Sequence, residues 1–263
     1  MHVNVNNVDF HVNIAGKEDA PWVTFGHSLA ANSGQWDEQV ELLKNDYHLL
    51  CYDQRGHGGS SAPPGPYTFD LLIDDVIGIW AHLGIDKSHW VGLSIGGMIG
   101  YGLAINHPDR LLSLTACDSR PDAPTDYKKY FQYRINTARE KGMEGLVDAT
   151  IERWYTEKSQ SNNLPVLDKI RDMIRTTNTV GHEGCCEALK TLAFGSRLNE
   201  ISAPTLIIGG AEDKGAPPEA LAEAAERIPN AKHVVIDHAG HISNTENPEQ
   251  FNQALQTFLR HHS

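Results

Sequence analysis

The sequence predicts an α/β protein: a mostly parallel, eight-stranded sheet with helices on both faces and a helical lid insertion. Three observations carry this. Short apolar runs alternate with stretches of helical periodicity up to Cys117, and again after Ala203-Pro204. Between Pro121 and Pro204 that alternation stops, and only helical patterns recur. Gly92-Leu93-Ser94-Ile95-Gly96 then joins an apolar run directly to a helix-like stretch, the context in which a serine stands on a sharp strand-to-helix turn.

Residues 3–14 alternate apolar and polar around Asn6-Asn7 and read as an antiparallel hairpin with one face buried. Trp22-Val23-Thr24-Phe25 is a short strand that runs into Gly26-His27-Ser28-Leu29. Residues 35–44 place Trp36, Val40 and Leu43 on one side of a short helix. The strand 47–52 leaves through the glycine-rich loop 53–60, and Phe69, Leu72, Ile73, Val76, Ile77 and Trp80 mark a helix over 68–83. After the strand before Ser94 comes a helix to about Asn106, stopped by His107-Pro108, and then a strand at 111–117. Helices are expected near 127–141, 143–155, 165–177 and 182–193. The alternation resumes with a strand at 205–210, a helix at 218–228, a strand at 234–236 and a closing helix from Pro248 to Arg260. The organisation expected is a core of residues 1–122 and 200–263 with a helical lid over 123–199.

The chain has 263 residues, 40% of them hydrophobic, enough for one well-buried core. Its formal net charge is −12 with no Lys/Arg block, which argues against nucleic acid and membrane surfaces as partners. The same acidity means that an anionic substrate needs a local Arg or Lys. The four cysteines, Cys51, Cys117, Cys185 and Cys186, have no metal-ligand spacing and read as packing residues. The N-terminal residues have no signal-peptide pattern, so a cytoplasmic location is expected, as a monomer or small homo-oligomer. No metal and no organic cofactor are implied.

A serine alcohol attacks a carbonyl only if a base takes its proton, and a carboxylate must orient that base. Ser94 is the nucleophile candidate. Asp213, in the loop after the 205–210 strand, is the acid candidate, with Asp118 and Glu212 as alternatives. His241, just past the last strand, is the base candidate, with His238 as the alternative. The developing oxyanion needs two donors, expected from the backbone N–H groups of Ile95 and Leu29. His27 reads as a residue that orders its loop.

With these residues in place the chain resembles the α/β-hydrolase superfamily, and within it the 3-oxoadipate enol-lactonases of the β-ketoadipate pathway of aromatic compound catabolism. The resemblance rests on the loop Tyr52-Asp53-Gln54-Arg55-Gly56-His57-Gly58-Gly59-Ser60-Ser61, on Gly92-Leu93-Ser94-Ile95-Gly96-Gly97, and on Gly240-His241-Ile242-Ser243-Asn244-Thr245-Glu246. The lid adds Glu152-Arg153-Trp154-Tyr155-Thr156 and Gly184-Cys185-Cys186-Glu187-Ala188-Leu189. His27-Ser28 and the stretch 193–199 depart from the family pattern. The resemblance implies an α/β-hydrolase fold and ring-opening hydrolysis of a five-membered enol-lactone that bears a carboxylate. It also implies Arg134, ahead of Arg139 and Arg153, as the cation for that carboxylate, with Trp154 and Ser28 as further substrate-binding residues. A general carboxylesterase, an acyl-homoserine lactonase, a carbon–carbon bond hydrolase of aromatic degradation and a non-catalytic receptor share the same framework. Ser94 in place of a carboxylate excludes a dehalogenase-type mechanism.

Overall fold

In a computed structural model, which describes residues 1–162 and 164–263, the eight strands form one sheet. They are β1 (His2–Val5), β2 (Val8–Gly16), β3 (Trp22–Gly26), β4 (His48–Tyr52), β5 (Ser88–Leu93), β6 (Leu111–Cys117), β7 (Thr205–Gly210) and β8 (Lys232–Ile236). The spatial order is β1-β2-β4-β3-β5-β6-β7-β8. The β1–β2 and β2–β4 pairs are antiparallel, and every other pair is parallel. Burial follows position in the sheet. β5 and β7 are buried at every residue, as strands covered on both faces must be, whereas the front half of β2 alternates buried and accessible residues. Asn6 and Asn7, both at positive φ, make the β1–β2 turn, a conformation that asparagine tolerates.

The helices are α1 (Asp37–Leu43), α2 (Phe69–His82), α3 (Ile95–Asn106), α4 (Tyr127–Lys141), α5 (Val147–Trp154), α6 (Glu157–Ser161), α7 (Val166–Thr176), α8 (Thr179–Leu189), α9 (Pro218–Arg227), α10 (Ser243–Glu246) and α11 (Pro248–Arg260). α2 packs on α3, which covers β5 and β6, while α9 covers β7 and β8; α1 and α11 contact each other and reach the sheet at β2 and β8. α4 to α8 all fall between β6 and β7, in the region where the sequence lacks strand signals.

Three local expectations differ from what is observed. The helix expected from residue 35 begins as a 3-10 turn, Ser33–Trp36, because the Asn32 side chain accepts the Gly34 N–H and the Trp36 ring must reach the core. The helix expected over 143–155 is divided into a 3-10 turn, Met143–Leu146, and α5. The helix expected over 182–193 runs instead from Thr179 to Leu189, started by the Asn178 side chain, which accepts the Val180 N–H.

Candidate active site

Ser94 directly follows β5 and immediately precedes α3, with φ 55° and ψ −119°, a positive-φ conformation that a residue with a Cβ adopts only under constraint. The constraint comes from glycines. A Cβ on Gly92 would meet the Gly96 backbone, and one on Gly96 would meet the Gly26 backbone, so only glycine lets the turn close this tightly against β3. The Ser94 hydroxyl lies 2.9 Å from Nε2 of His241. Nδ1 of the same ring lies 2.8 Å from Oδ2 of Asp213. The other oxygen of Asp213 accepts the N–H groups of Gly215 and Ala216, at 2.6 and 3.0 Å. Three residues far apart in the chain therefore form one hydrogen-bonded line, each held at the C-terminal end of a strand.

The electrostatics of this line follow from burial and charge. Burial alone disfavours the carboxylate of Asp213, but the charge and hydrogen bond of His241 and the two loop N–H groups outweigh it, and its pKa falls below the ordinary value. Burial likewise disfavours the imidazolium of His241. The Asp213 carboxylate, helped by Asp118 and opposed by Arg153, reverses the balance and raises its pKa.

The alternatives for acid and base lie elsewhere. Asp118 is fully buried, but its Oδ1 accepts the Gly210 N–H at 2.8 Å and its Oδ2 accepts the Ser243 hydroxyl at 2.6 Å. It joins the end of β6 to β7 and to the start of α10, and does not bond to the imidazole. Glu212 and His238 are exposed.

The two N–H groups expected to receive an oxyanion belong to residues next to Ser94 in the chain and at its cavity. Ile95 is the first residue of α3, and Leu29 lines the cavity at Ser94. Among the described residues neither N–H donates to a backbone acceptor. His27 is fully buried; its Nδ1 donates to the Ser28 carbonyl and its Nε2 accepts the Gln54 N–H, so it orders the loop.

Ser28, expected as a substrate-binding residue, is engaged within its own loop. Its side chain is fully buried, its N–H and hydroxyl both point to Oε1 of Gln35, and it is not among the residues lining the cavity. The N–H and the hydroxyl of Ser28 thus share one acceptor, supplied by the Ser33–Trp36 turn.

Arg134, in contrast, faces the cavity, together with Trp154, Arg153 and His241. The residue is 4% exposed, and its guanidinium is held by three neutral groups: the Tyr130 hydroxyl at 3.3 Å, the Thr150 hydroxyl at 3.1 Å and Nε2 of His182 at 3.4 Å. Burial, with Arg134 and His57 adding to it, keeps the pKa of His182 well below the ordinary value, so this partner is an uncharged acceptor. Arg153 lies over the Tyr130 ring at 4.6 Å. Arg139 pairs with Glu183 at the surface. The Trp154 carbonyl accepts the His241 N–H at 2.8 Å, and Glu246 accepts from Gly240 and Thr156, which ties the helical insertion to the histidine loop.

Other cavity residues carried no isolated sequence signal. Tyr127, Tyr130 and Phe131 line it with Arg134, and these four fall at i, i+3, i+4 and i+7 along α4. That stripe was present in the sequence as a helical face.

The family model described as the alpha/beta hydrolase fold matches residues 21–248. The chain belongs to the α/β-hydrolase family. Within the family, this hydrolase is 32% identical over 247 residues to 3-oxoadipate enol-lactonase 2 of Acinetobacter baylyi, covering 93% of this chain and 91% of that one. The crystal structure of the enol-lactonase from Burkholderia xenovorans superposes with a TM-score of 0.95 at 34% identity, covering 99% of this chain and all of that one. A thermophilic esterase from Thermogutta terrifontis, with malate bound, gives a TM-score of 0.93 at 29% identity, covering 100% of this chain and 99% of that one.

Proposed function

We propose that this α/β-hydrolase opens a small carboxylate-bearing lactone, 3-oxoadipate enol-lactone, through an acyl-enzyme on Ser94. His241 takes the proton from the Ser94 hydroxyl as its oxygen attacks the lactone carbonyl. Asp213 keeps the Nδ1–H tautomer and stabilises the imidazolium. The tetrahedral oxyanion is received by the N–H groups of Leu29 and Ile95. The ring C–O bond then breaks, the enol oxygen takes the proton from His241, and the enol tautomerises to the ketone. Water, deprotonated by His241, attacks the ester, and Ser94 leaves with the proton.

The observation that carries the substrate class is Arg134. A buried guanidinium held only by neutral groups leaves a positive charge beside Ser94 that a substrate carboxylate would balance. Cavity size supports a compact substrate. The space at Ser94 is about 40 Å³, where by the same kind of measure one water needs roughly 10–15 Å³. Residues 123–199 act as the lid, with Trp154 closing the cavity over His241, at 6.3 Å between ring centroids. Four buried free thiols fit a cytoplasmic place of action.

The test is a hydrolysis panel on the purified protein: 3-oxoadipate enol-lactone, 4-nitrophenyl acetate and butyrate, an acyl-homoserine lactone and a ring-fission diketone. The enol-lactone is expected to have the highest kcat/KM; turnover no faster than that of the simple esters would sink the narrow assignment. An esterase for short anionic esters is the second reading, favoured by the same unbalanced Arg134 and by the similarity to the malate-bound esterase.

A further inference from the structure

A second cavity, of about 290 Å³, lies on the far side of the groups that hold the Ser94 cavity closed. Tyr130, Arg134 and Arg153 line both spaces and form their common wall. The outer space is also lined by Tyr133, Glu152 and Lys214. Three cations thus face one carboxylate, in a chain with 22 Lys and Arg against 34 Asp and Glu, the opposite of what an even spread of charge would place there. Among the described residues these cations form no ion pair. Arg134 is bound by neutral groups and its Nε is buried without a partner, while Arg153 lies on the face of Tyr130. Lys214 is exposed and follows Asp213 directly, so it stands at the rim on the catalytic side.

From this arrangement we infer that the outer cavity is an antechamber that captures anionic esters and lactones at Lys214 and Arg153 and passes them beside Tyr130 to Arg134. It rests on the proposal that the substrate is an anion. A protein of net charge −12 repels such a molecule at long range. Within about one Debye length, roughly 8–10 Å, the local cations dominate, and low-dielectric walls focus their field. The Tyr130 ring holds Arg153 by a cation–π contact that is weak at an accessible site, so a carboxylate can draw the guanidinium off the ring. Arg134 then receives the charge at the inner end, where its neutral hydrogen-bond partners leave it uncompensated.

The experiment uses two chromogenic esters, the anionic 4-nitrophenyl hydrogen succinate and the neutral 4-nitrophenyl acetate, so that it does not depend on the identity of the natural lactone. From about 10 mM to about 300 mM sodium chloride, kcat/KM for the anionic ester is expected to fall about fivefold with kcat little changed, while the neutral ester stays flat. Net charge alone predicts a rise. Lys214→Glu is expected to lower the anionic-to-neutral ratio of kcat/KM about fivefold to tenfold at low salt and to remove most of the salt dependence. Lys87→Glu makes the same change in net charge just before β5, at the other end of that strand from Ser94, and is expected to leave the ratio unchanged. A ratio that rises or stays flat with salt overturns the inference, and so does an equal effect of the two variants. Failure of the wild-type protein to turn over the anionic ester while it cleaves the neutral one overturns it too. Inactivity on the enol-lactone alone defeats only the substrate assignment.

Discussion

Replacing Arg134 with methionine removes the charge at the wall of the cavity and keeps most of the apolar stem. The hydrogen bonds lost, to Tyr130, Thr150 and His182, are 3.1–3.4 Å long and join a cation to neutral groups. None of the three partners is left charged, and relief of the cost of burying an unpaired cation offsets the hydrogen bonds lost, so the free protein loses little. The bound state is different. A substrate carboxylate in a space of about 40 Å³ has little room for water and would be left buried and unpaired. Such truncations cost about 2–4 kcal/mol, which lowers kcat/KM roughly 30-fold to 1,000-fold. The assay compares the enol-lactone or 4-nitrophenyl hydrogen succinate with 4-nitrophenyl acetate, and follows the thermal midpoint of each protein. The neutral ester is expected to change by less than about threefold, with Tm unchanged or higher. An equal loss on both ester classes, or a marked fall in Tm, would refute the reasoning and make Arg134 a structural residue of the insertion.

Three further outcomes are expected. With the neutral ester, kcat/KM should fall as pH drops through the pKa of His241, because the ring must be unprotonated to accept the Ser94 proton; that pKa is raised, so the midpoint should lie above the ordinary histidine value of 6.5. Asp213→Asn should lower kcat about 10⁴-fold and move that limb downward, because only Asp118 then opposes burial of the imidazolium; a limb that stays in place would separate Asp213 from His241. Ser28→Ala should cost about 1 kcal/mol of stability, from the lost hydrogen bond to Gln35, and leave substrate preference unchanged. A selective rise in KM for the lactone would restore Ser28 to the substrate site.

Much of the sheet was legible because strand signals are local. The apolar runs that became β3 to β7 end in loops, and the period of two in residues 3–14 matches the hairpin with one buried face. Ser94, Asp213 and His241 could be nominated for the same reason: each follows a strand, and a parallel sheet gathers such loops at one edge. The choice of acid was less legible. Asp118 and Asp213 both end strands, and only the hydrogen bonds of Asp118 to Gly210 and Ser243 show that its oxygens are engaged away from the imidazole. The surroundings of Ser28 were not legible, because they depend on Gln35, a partner seven residues away whose side-chain direction no periodicity reports.

The sequence by itself determined the α/β-hydrolase core, the place of the helical insertion and the strand ends at which chemistry could be set. These are encoded in periodicity, in glycine at turns that exclude a Cβ, and in the order of loops along one sheet. Only the tertiary structure decided what surrounds Ser94. Tyr130 and Arg134 come from α4, Thr150 and Arg153 from α5, and His182 from α8; α4 packs on α8 and on the Met143–Leu146 turn that leads into α5. Whether an arginine ends as a surface charge, as Arg139 does, or as a buried and unbalanced one, as Arg134 does, depends on which partners that packing brings within reach.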